Sequence, residues 1–387
     1  MRLLILSGMP HHLHDGQVVG WGPTAQEIDH LATLFDEVRH MAPLYPGPAP
    51  RSALPYTSKV ITFIPVPPAG GKTIAAKSQI LLRYPGYLGT ILRELPQADV
   101  VHVRCPDNIS LLGLLVLSLV RSPRLRWVKY AGNWRPDQPE AWSYSAQRWW
   151  LERNLHRGSV TINGRWPGQL PHIHSFVNPC LTDEELDQAK VAAADKALVS
   201  PLRLLYVGRV EAKKGVGRAL EILARLRGCY CAATLHVVGD GPARPKFEAL
   251  AASLNVAAAT TFEGWLPRPA LAPIYAQAHV MLFPTNASEG WPKVLSEAMA
   301  YGVVPVAGKV SCIGQFLDRF QTGEAIPPNQ IDQFCEAILS YAADGALWKK
   351  HSANALAAAG QFTYTRYLQA VRNLLGLETA ASWVRSN

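Results

Sequence analysis

The sequence predicts an α/β protein of two domains, the second built of parallel βαβ units. Three observations lead there. At 387 residues the chain is too long for one ordinary hydrophobic core and suits two domains of somewhat under two hundred residues each. Hydrophobic residues make up 48% and charged residues 17%, a balance that favours buried cores over disorder. From Leu202 onward, short apolar runs alternate with amphipathic stretches, which implies parallel βαβ units with ligands at the carboxyl ends of the strands.

In chain order, Arg2–Gly8 (RLLILSG) reads as a buried first strand, followed by a loop carrying Gly16, Gly20 and Gly22. An amphipathic helix is expected from about Thr24 to Phe35. Residues 42–72 are rich in Pro and Gly and read as irregular, with strand-like Val60–Ile64 inside. A helix near Ile74–Leu95, a strand at Asp99–Val103, a helix at Ser110–Val120 and a strand at Leu125–Tyr130 follow. Trp142–Arg157 is rich in Trp and Arg and expected to be helical, and Val160–Asn163 is a short strand. The domains are placed at 1–180 and 201–364, joined by a linker at 181–200, with a terminal helix within 365–387. In the second domain the strands are Leu202–Val207, Ala233–Val238, Thr260–Phe262, Val280–Phe283 and Val303–Ala307, with helices near 216–227, 243–254, 269–278 and 292–301.

The formal net charge of +9 is uneven: residues 1–180 carry +7 and residues 181–387 carry +2. That asymmetry argues against a uniformly basic nucleic-acid binder and for halves with different partners. The longest apolar run, Ile109–Val120, is far short of the roughly 20 residues a spanning helix needs and reads as a buried helix. No secretory leader is read at Met1–Met9. Six scattered cysteines without a CxxC pair suggest reduced thiols in a cytosolic protein.

Two stretches of the second half carry chemistry. In Val207–Gly215 (VGRVEAKKG), Arg209 and Lys214 leave a strand edge, Gly208 and Gly215 allow close backbone approach, and Val216 opens a helix. Two cations and a helix N-terminus suit a pyrophosphate, although cations after a strand are more often simply solvated. In Ser288–Met299 (SEGWPKVLSEAM), Pro292 suits the first helical position, which leaves the amides of Lys293 and Val294 for a phosphate. Glu297 stands five residues into that helix, a rise of about 7–8 Å that spans from a phosphate to its ribose. Glu289 precedes the helix, where a diphosphate-linked sugar would lie. An isolated E-x7-E would be an ordinary capped helix with two solvated acids.

The ordered set VGRVEAKKG, HVVGDGP, FEGWL and VMLFPTNASEGWPKVLSEAMAYGVVPVA resembles the retaining nucleotide-sugar glycosyltransferases of family 4, over about residues 202–327. GNWRP and NGRWP extend the resemblance to a bacterial subgroup associated with cell-surface polysaccharide. The resemblance implies a GT-B fold, two Rossmann-like domains facing a central cleft, with the last helix returning to the first domain. It implies that Arg209 and Lys214 neutralise the donor diphosphate, Glu289 contacts the donor sugar, Glu297 holds the ribose, and Lys293 and Val294 offer amides to the phosphate. The turn at Trp265–Leu266 would read the base, and Gly16, Gly20 and Gly22 would close on the donor phosphates. It also implies retention of configuration without a metal, in keeping with the absence of an Asp-x-Asp motif. Two departures stand out. Pro292 and Lys293 replace Gly and an apolar residue, Lys293 being either a further phosphate cation or a solvated charge. His102-Val103-Arg104 replaces an H-x-H, so that Arg104 could stabilise a phosphate, grip an acidic acceptor or form an interdomain ion pair.

The first half is read as the acceptor side, with His102, Arg104, Asn133 and Trp134 as its candidates. Seven of the eleven tryptophans precede residue 167, and Trp149 and Trp150 stand among Arg148, Arg153 and Arg157. Such residues stack on sugars, rest on anionic membranes or pack a core. His11, His12 and His14 lack acidic or Cys partners at metal spacing and read as polar loop residues. The expected function is a metal-independent, cofactor-free, retaining transferase of the hexosyltransferase type. Its donor would be a UDP- or GDP-linked sugar and its acceptor a growing cell-surface or lipid-linked glycan. It would be cytoplasmic or peripheral on the inner face of the membrane and would bind no nucleic acid. A non-catalytic nucleotide-sugar-binding partner of a glycan assembly and a GT-B-fold sugar-nucleotide epimerase are the alternatives.

Overall fold

A computed structural model describes residues 1–70, 74–137 and 139–377 of the chain, with side chains for all of these except 74–78. The chain divides into two compact units, Met1–Phe176 with the chain from Tyr364 onward, and Val177–Thr363.

In the first unit the elements run β1 (Arg2–Ser7), β2 (His11–His14), β3 (Gln17–Trp21), α1 (Gly22–Ala32), β4 (Glu37–Pro43), β5 (Ala53–Pro55), β6 (Ile61–Val66) and α2 (Ile74–Glu94). They continue with β7 (Val100–Cys105), α3 (Asn108–Leu119), β8 (Leu125–Tyr130), α4 (Trp142–Glu152), β9 (Ser159–Asn163) and β10 (Ile173–Phe176). Seven strands form one parallel sheet in the order β10-β9-β8-β7-β1-β4-β6, so the strand order reverses between β1 and β7. Helices α2, α3 and α4 cover one face, where Tyr87, Ile91, Leu112, Leu117 and Leu151 pack on Leu4, Val101 and Val103. Asp107 caps α3 through a capping box with Ser110, and burial pushes its carboxyl up to about 6.

The second unit runs α5 (Asp183–Ala193), β11 (Leu202–Val207), α6 (Val216–Gly228), β12 (Ala233–Val238), α7 (Arg244–Ser253), β13 (Thr260–Gly264), α8 (Arg268–Gln277), β14 (Val280–Phe283) and α9 (Lys293–Ala300). It closes with β15 (Val304–Gly308), α10 (Ile313–Phe320), β16 (Glu324–Ile326), α11 (Ile331–Ala343) and α12 (Gly345–Ala359). Its parallel sheet has the order β13-β12-β11-β14-β15-β16 and reverses between β11 and β14. The last helix, α13 (Tyr364–Leu375), belongs to the first unit: Tyr367, Val371 and Leu375 pack with Leu3, Ile5, Ile28 and Trp127 on the sheet face opposite α2–α4.

Three expectations are corrected, and one strand is added. Residues 181–200 are not a bare linker: Thr182 and Glu185 form a capping box that starts α5 inside the second unit. The stretch 42–72 is not irregular apart from one strand, since β5 and β6 lie within it and β4 runs into it. Strand β4 was hidden by Arg39 and His40, whose polarity is satisfied locally by Glu94 at 2.7 Å and by Ser7 at 2.8 Å. The segment holding Gly16, Gly20 and Gly22 is no open loop. His11–His14 and Gln17–Trp21 pair as a hairpin, with β5 as a third strand. Its turn is Asp15–Gly16, with φ of 49° and 76°, the two positive values a tight two-residue hairpin needs. Gly20 is held by packing, because a Cβ there would lie 2.8 Å from Nε2 of the buried His11 ring.

Candidate active site

The site-bearing residues of the second unit gather at the carboxyl edge of its sheet, beside the β11/β14 reversal where doubly wound sheets bind ligands. Strand β11 ends at Val207, and Gly208 starts the loop that leads to α6. Gly215 adopts φ 95°, and a Cβ there would stand 2.3 Å from the Pro284 carbonyl oxygen. Only a residue without a side chain lets the two loops approach this closely. The Asn286 amide donates to the Lys213 carbonyl (3.0 Å), and Arg218 Nε donates to the Pro284 carbonyl (2.6 Å). Thr285, wholly buried, accepts the Ala287 amide at its hydroxyl oxygen (3.1 Å). These contacts fix the loop after β14 against the loop after β11.

That fixation brings two of the expected catalytic residues together. Lys214 Nζ lies 2.7 Å from Glu289 Oε1, and each side chain is about a quarter exposed. Arg209 turns elsewhere: it is largely exposed and pairs with Glu211 at 2.5 Å. Pro292 takes the N-cap position rather than the first helical one, because its ψ of 117° is extended, and Lys293 and Val294 are the first two helical residues. The first-turn amide donors of a helix have no acceptor within it, so an anion-binding terminus results from this start as well. Asn286 Oδ1 is buried without a hydrogen-bond partner, a spare acceptor on the same loop.

Glu297 sits on α9 with a partner at each oxygen. The Tyr275 hydroxyl donates to Oε2 at 3.1 Å, and Arg268 Nε stands 3.9 Å from Oε1. Burial first, then the Glu297 charge, hold the Tyr275 phenol well above its ordinary range, so the proton stays on Tyr275. Tyr275 stacks on Tyr301 with centroids 5.6 Å apart, and Arg268 also reaches Glu185 at 3.1 Å. Trp265 and Leu266, half-buried, directly follow β13. Tyr275, Arg268, Arg218 and Thr285 were not foreseen. Each acts across elements distant in sequence, and only the turn-prone run PTNASEG hinted at Thr285.

A cavity of about 240 Å³ lies against β11, β12, β13 and α8, with Arg203, His236, Glu263 and Gln277 in its wall. It contains none of the residues named above. Nearby, Lys196 donates to the carbonyls of Tyr275 and Ala278, each at 2.8 Å, and burial brings its ammonium down to about 7.

In the first unit the acceptor-side candidates are mostly interior. His102 is fully buried, stacked 3.8 Å from the Trp127 ring, and burial keeps it neutral well below its ordinary range. Trp134 is 2% exposed and packs edge-on to Tyr130, so it is a core residue and offers no platform to a sugar. Asn133 is buried, and its Oδ1 accepts the Arg135 amide (3.1 Å). Arg104 forms an ion pair, but inside the unit: its guanidinium meets Glu27 Oε1 at 2.9 Å, and Lys129 meets the same oxygen at 2.6 Å.

His11 is likewise no loop residue. Its Nδ1 donates to the Met9 carbonyl (2.9 Å), which leaves Nε2 to accept from Tyr56 (2.7 Å). The Tyr56 oxygen then accepts from His40 Nδ1 (2.7 Å), and His40 Nε2 accepts from Ser7 (2.8 Å). Burial lowers His11 to about 4, so the chain of bonds is built from neutral rings. Among the described residues no group of three or more His, Cys, Asp or Glu could hold a metal ion, and all six cysteines are free.

Residues 190–359 match the family model for glycosyl transferases group 1. The chain is 31% identical over 154 residues to glycogen synthase of Mycobacterium tuberculosis, covering 40% of this chain and 37% of that protein. It is 32% identical over 140 residues to lipopolysaccharide 1,6-galactosyltransferase of Salmonella typhimurium, covering 35% and 38%. The chain thus spans less than two fifths of the length of these relatives. Among solved structures it is similar to Anabaena Alr3699/HepE in complex with UDP. There the TM-score is 0.68 and the identity 14%, with 97% of this chain and 99% of that one covered. The two parallel sheets with flanking helices have the GT-B fold.

Proposed function

We propose that this chain, whose second unit carries a group 1 glycosyl transferase domain, moves a sugar from a nucleoside diphosphate to a glycan acceptor with retention of configuration. The observation that carries the reading is the Lys214–Glu289 contact at 2.7 Å, set at the sheet's reversal point beside the start of α9. A cation and free helix amides offset the charge that builds on a departing diphosphate. Lys214 is the group for that role. Arg209, exposed on a short loop, is the second cation once it leaves Glu211. Glu289 orients the sugar through its hydroxyls, and Glu297 accepts from the ribose. The two carboxylates bind and position; neither is assigned the part of a hydrolytic acid or nucleophile. Charge stabilisation by these groups requires no cofactor and no metal, so turnover is expected to persist in a chelator.

A UDP-linked donor is favoured by the likeness to the UDP-bound Anabaena fold, and a surface-glycan acceptor by the likeness to the lipopolysaccharide galactosyltransferase. The +7 charge of residues 1–180 fits a lipid-linked acceptor at the inner face of the membrane. Thermal-shift titration with UDP, GDP, ADP and their sugars tests the donor, since a ligand of the native state raises the melting point. A protein that no nucleotide stabilises, even in large excess, would refute the donor site. Release of nucleoside diphosphate with an acceptor product of unchanged anomeric configuration tests the transfer.

A further inference from the structure

The helical layer α2–α3–α4 of the first unit turns an apolar surface outward. All three helices pack their inner sides into one core on one face of the sheet, and α3 lies between the other two. A surface helix ordinarily keeps its outer stripe polar. Helix α2 buries Tyr87 and Ile91 inward, yet outward it shows Leu81 and Leu82 (72% and 78% exposed) and, further along, Leu88 and Leu92. On α3 the outward positions Leu111 and Leu115 are half-buried and Leu119 is 85% exposed. On α4 Trp142 and Trp149, one heptad apart, are 77% and 47% exposed. Three adjacent helices thus each expose apolar side chains on the outer side of one layer, and soluble monomers rarely leave large apolar patches uncovered.

Charge decides the occupant. Arg83, Arg121, Arg124 and Arg153 are exposed in or beside these helices, and Arg153 rests 4.1 Å over the Trp149 ring. The acidic residues within the three helices are Glu94 and Glu152, and beside them stand Asp137, exposed, and Glu140, paired with Arg148. Glu94 is buried between Arg39 and Arg93, and Glu152 pairs with Arg135. Leu and Trp interleaved with exposed Arg fit the headgroup boundary of an anionic bilayer. A second copy of the same face would set arginines against arginines.

We propose that the α2–α3–α4 layer is the surface by which this chain rests on an anionic membrane. The proposal deepens the reading of a lipid-linked acceptor. Its assay involves neither donor nor acceptor, so a failure of either reading leaves the other standing. The full chain is co-sedimented with vesicles of phosphatidylcholine alone and of phosphatidylcholine with phosphatidylglycerol. Binding is expected to the mixed vesicles only, weakening as salt is raised. Leu81→Gln with Leu82→Gln, and separately Trp149→Gln, are expected to lower the partition coefficient about tenfold or more. Melting temperature and circular dichroism check that each variant stays folded. Leu88→Gln with Leu92→Gln serves if the first pair does not. Unchanged partitioning of the folded variants would overturn the surface, and so would failure of the parent chain to bind mixed vesicles. A concentration-dependent dimer abolished by the same substitutions would overturn it in favour of a second copy.

Discussion

Replacing Tyr275 with Phe removes one oxygen atom and tests whether Glu297 is held ready for a ribose. The phenol donates to Glu297 Oε2 at 3.1 Å, while its ring stacks on Tyr301 with planes 20° apart. The ring contact survives the change, so the fold is expected to persist with a loss of about 1 kcal/mol, typical of one hydrogen bond. A hydrogen bond to a charged acceptor is worth about 1.5–3 kcal/mol when intact, but Glu297 is 15% exposed and water recovers part of it. About 1 kcal/mol of lost preorganisation remains, equivalent to roughly fivefold in Kd. Calorimetric titration of ribo- and 2′-deoxyribonucleoside diphosphates reads it. The parent protein should prefer the ribonucleotide, Tyr275→Phe should weaken that preference, and Glu297→Ala should erase it. In the Glu297→Ala background Tyr275→Phe should have no further effect on the preference, because the two act as one unit. Additive losses, or an unchanged preference in Tyr275→Phe, would refute the positioning role.

Glu289→Gln is expected to retain nucleoside diphosphate binding in calorimetry while turnover falls by orders of magnitude, since the carboxylate is assigned to the sugar; equal turnover would remove Glu289 from the site. Gly215→Ala places a Cβ 2.3 Å from the Pro284 oxygen at φ 95°, so about 1–3 kcal/mol of stability and most nucleotide affinity should be lost together, as read by urea unfolding and thermal shift. His11 titrates near 4 in the fold and near 6.5 when unfolded, so the unfolded chain takes up the proton first as pH falls. The His11 contribution to stability is therefore whole above about pH 6.5 and declines by up to about 3 kcal/mol towards pH 4, with His156 and His279 acting in the same direction and Asp107, raised to about 6, opposing them. A urea midpoint whose pH dependence across that window is the same in His11→Gln as in the parent would contradict it.

The second unit was legible because its chemistry is local. Lys214 follows its strand by a few residues, Glu289 and Glu297 flank one helix start, and the alternation from Leu202 onward marks buried parallel strands. What sequence could not supply was the cross-element wiring. Arg209 and Lys214 look alike in VGRVEAKKG, but the close approach at Gly215 brings only Lys214 to Glu289. The first unit was harder because polar residues do interior work there. His40 and Arg39 disguised β4, and His11 read as a surface residue although it is fully buried. Trp134 shows the converse, an acceptor-side candidate whose ring fills the core. Asp15–Gly16 is a two-residue hairpin turn written in the sequence by its Asp-Gly pair.

The placement of α13 bears on how the protein is made. The first unit needs both early and late stretches of chain, whereas Val177–Thr363 is continuous. During synthesis the second unit has all its residues before the first one does. Until α13 emerges, Trp127, Leu3 and Ile28 lack Tyr367, Val371 and Leu375 as their cover. A chain that stops at Thr363 would carry the second unit with its sheet whole, attached to a first unit with one apolar face bare. Such a product is exposed to chaperones and proteases. Completion of α13 closes that face of the first unit's core.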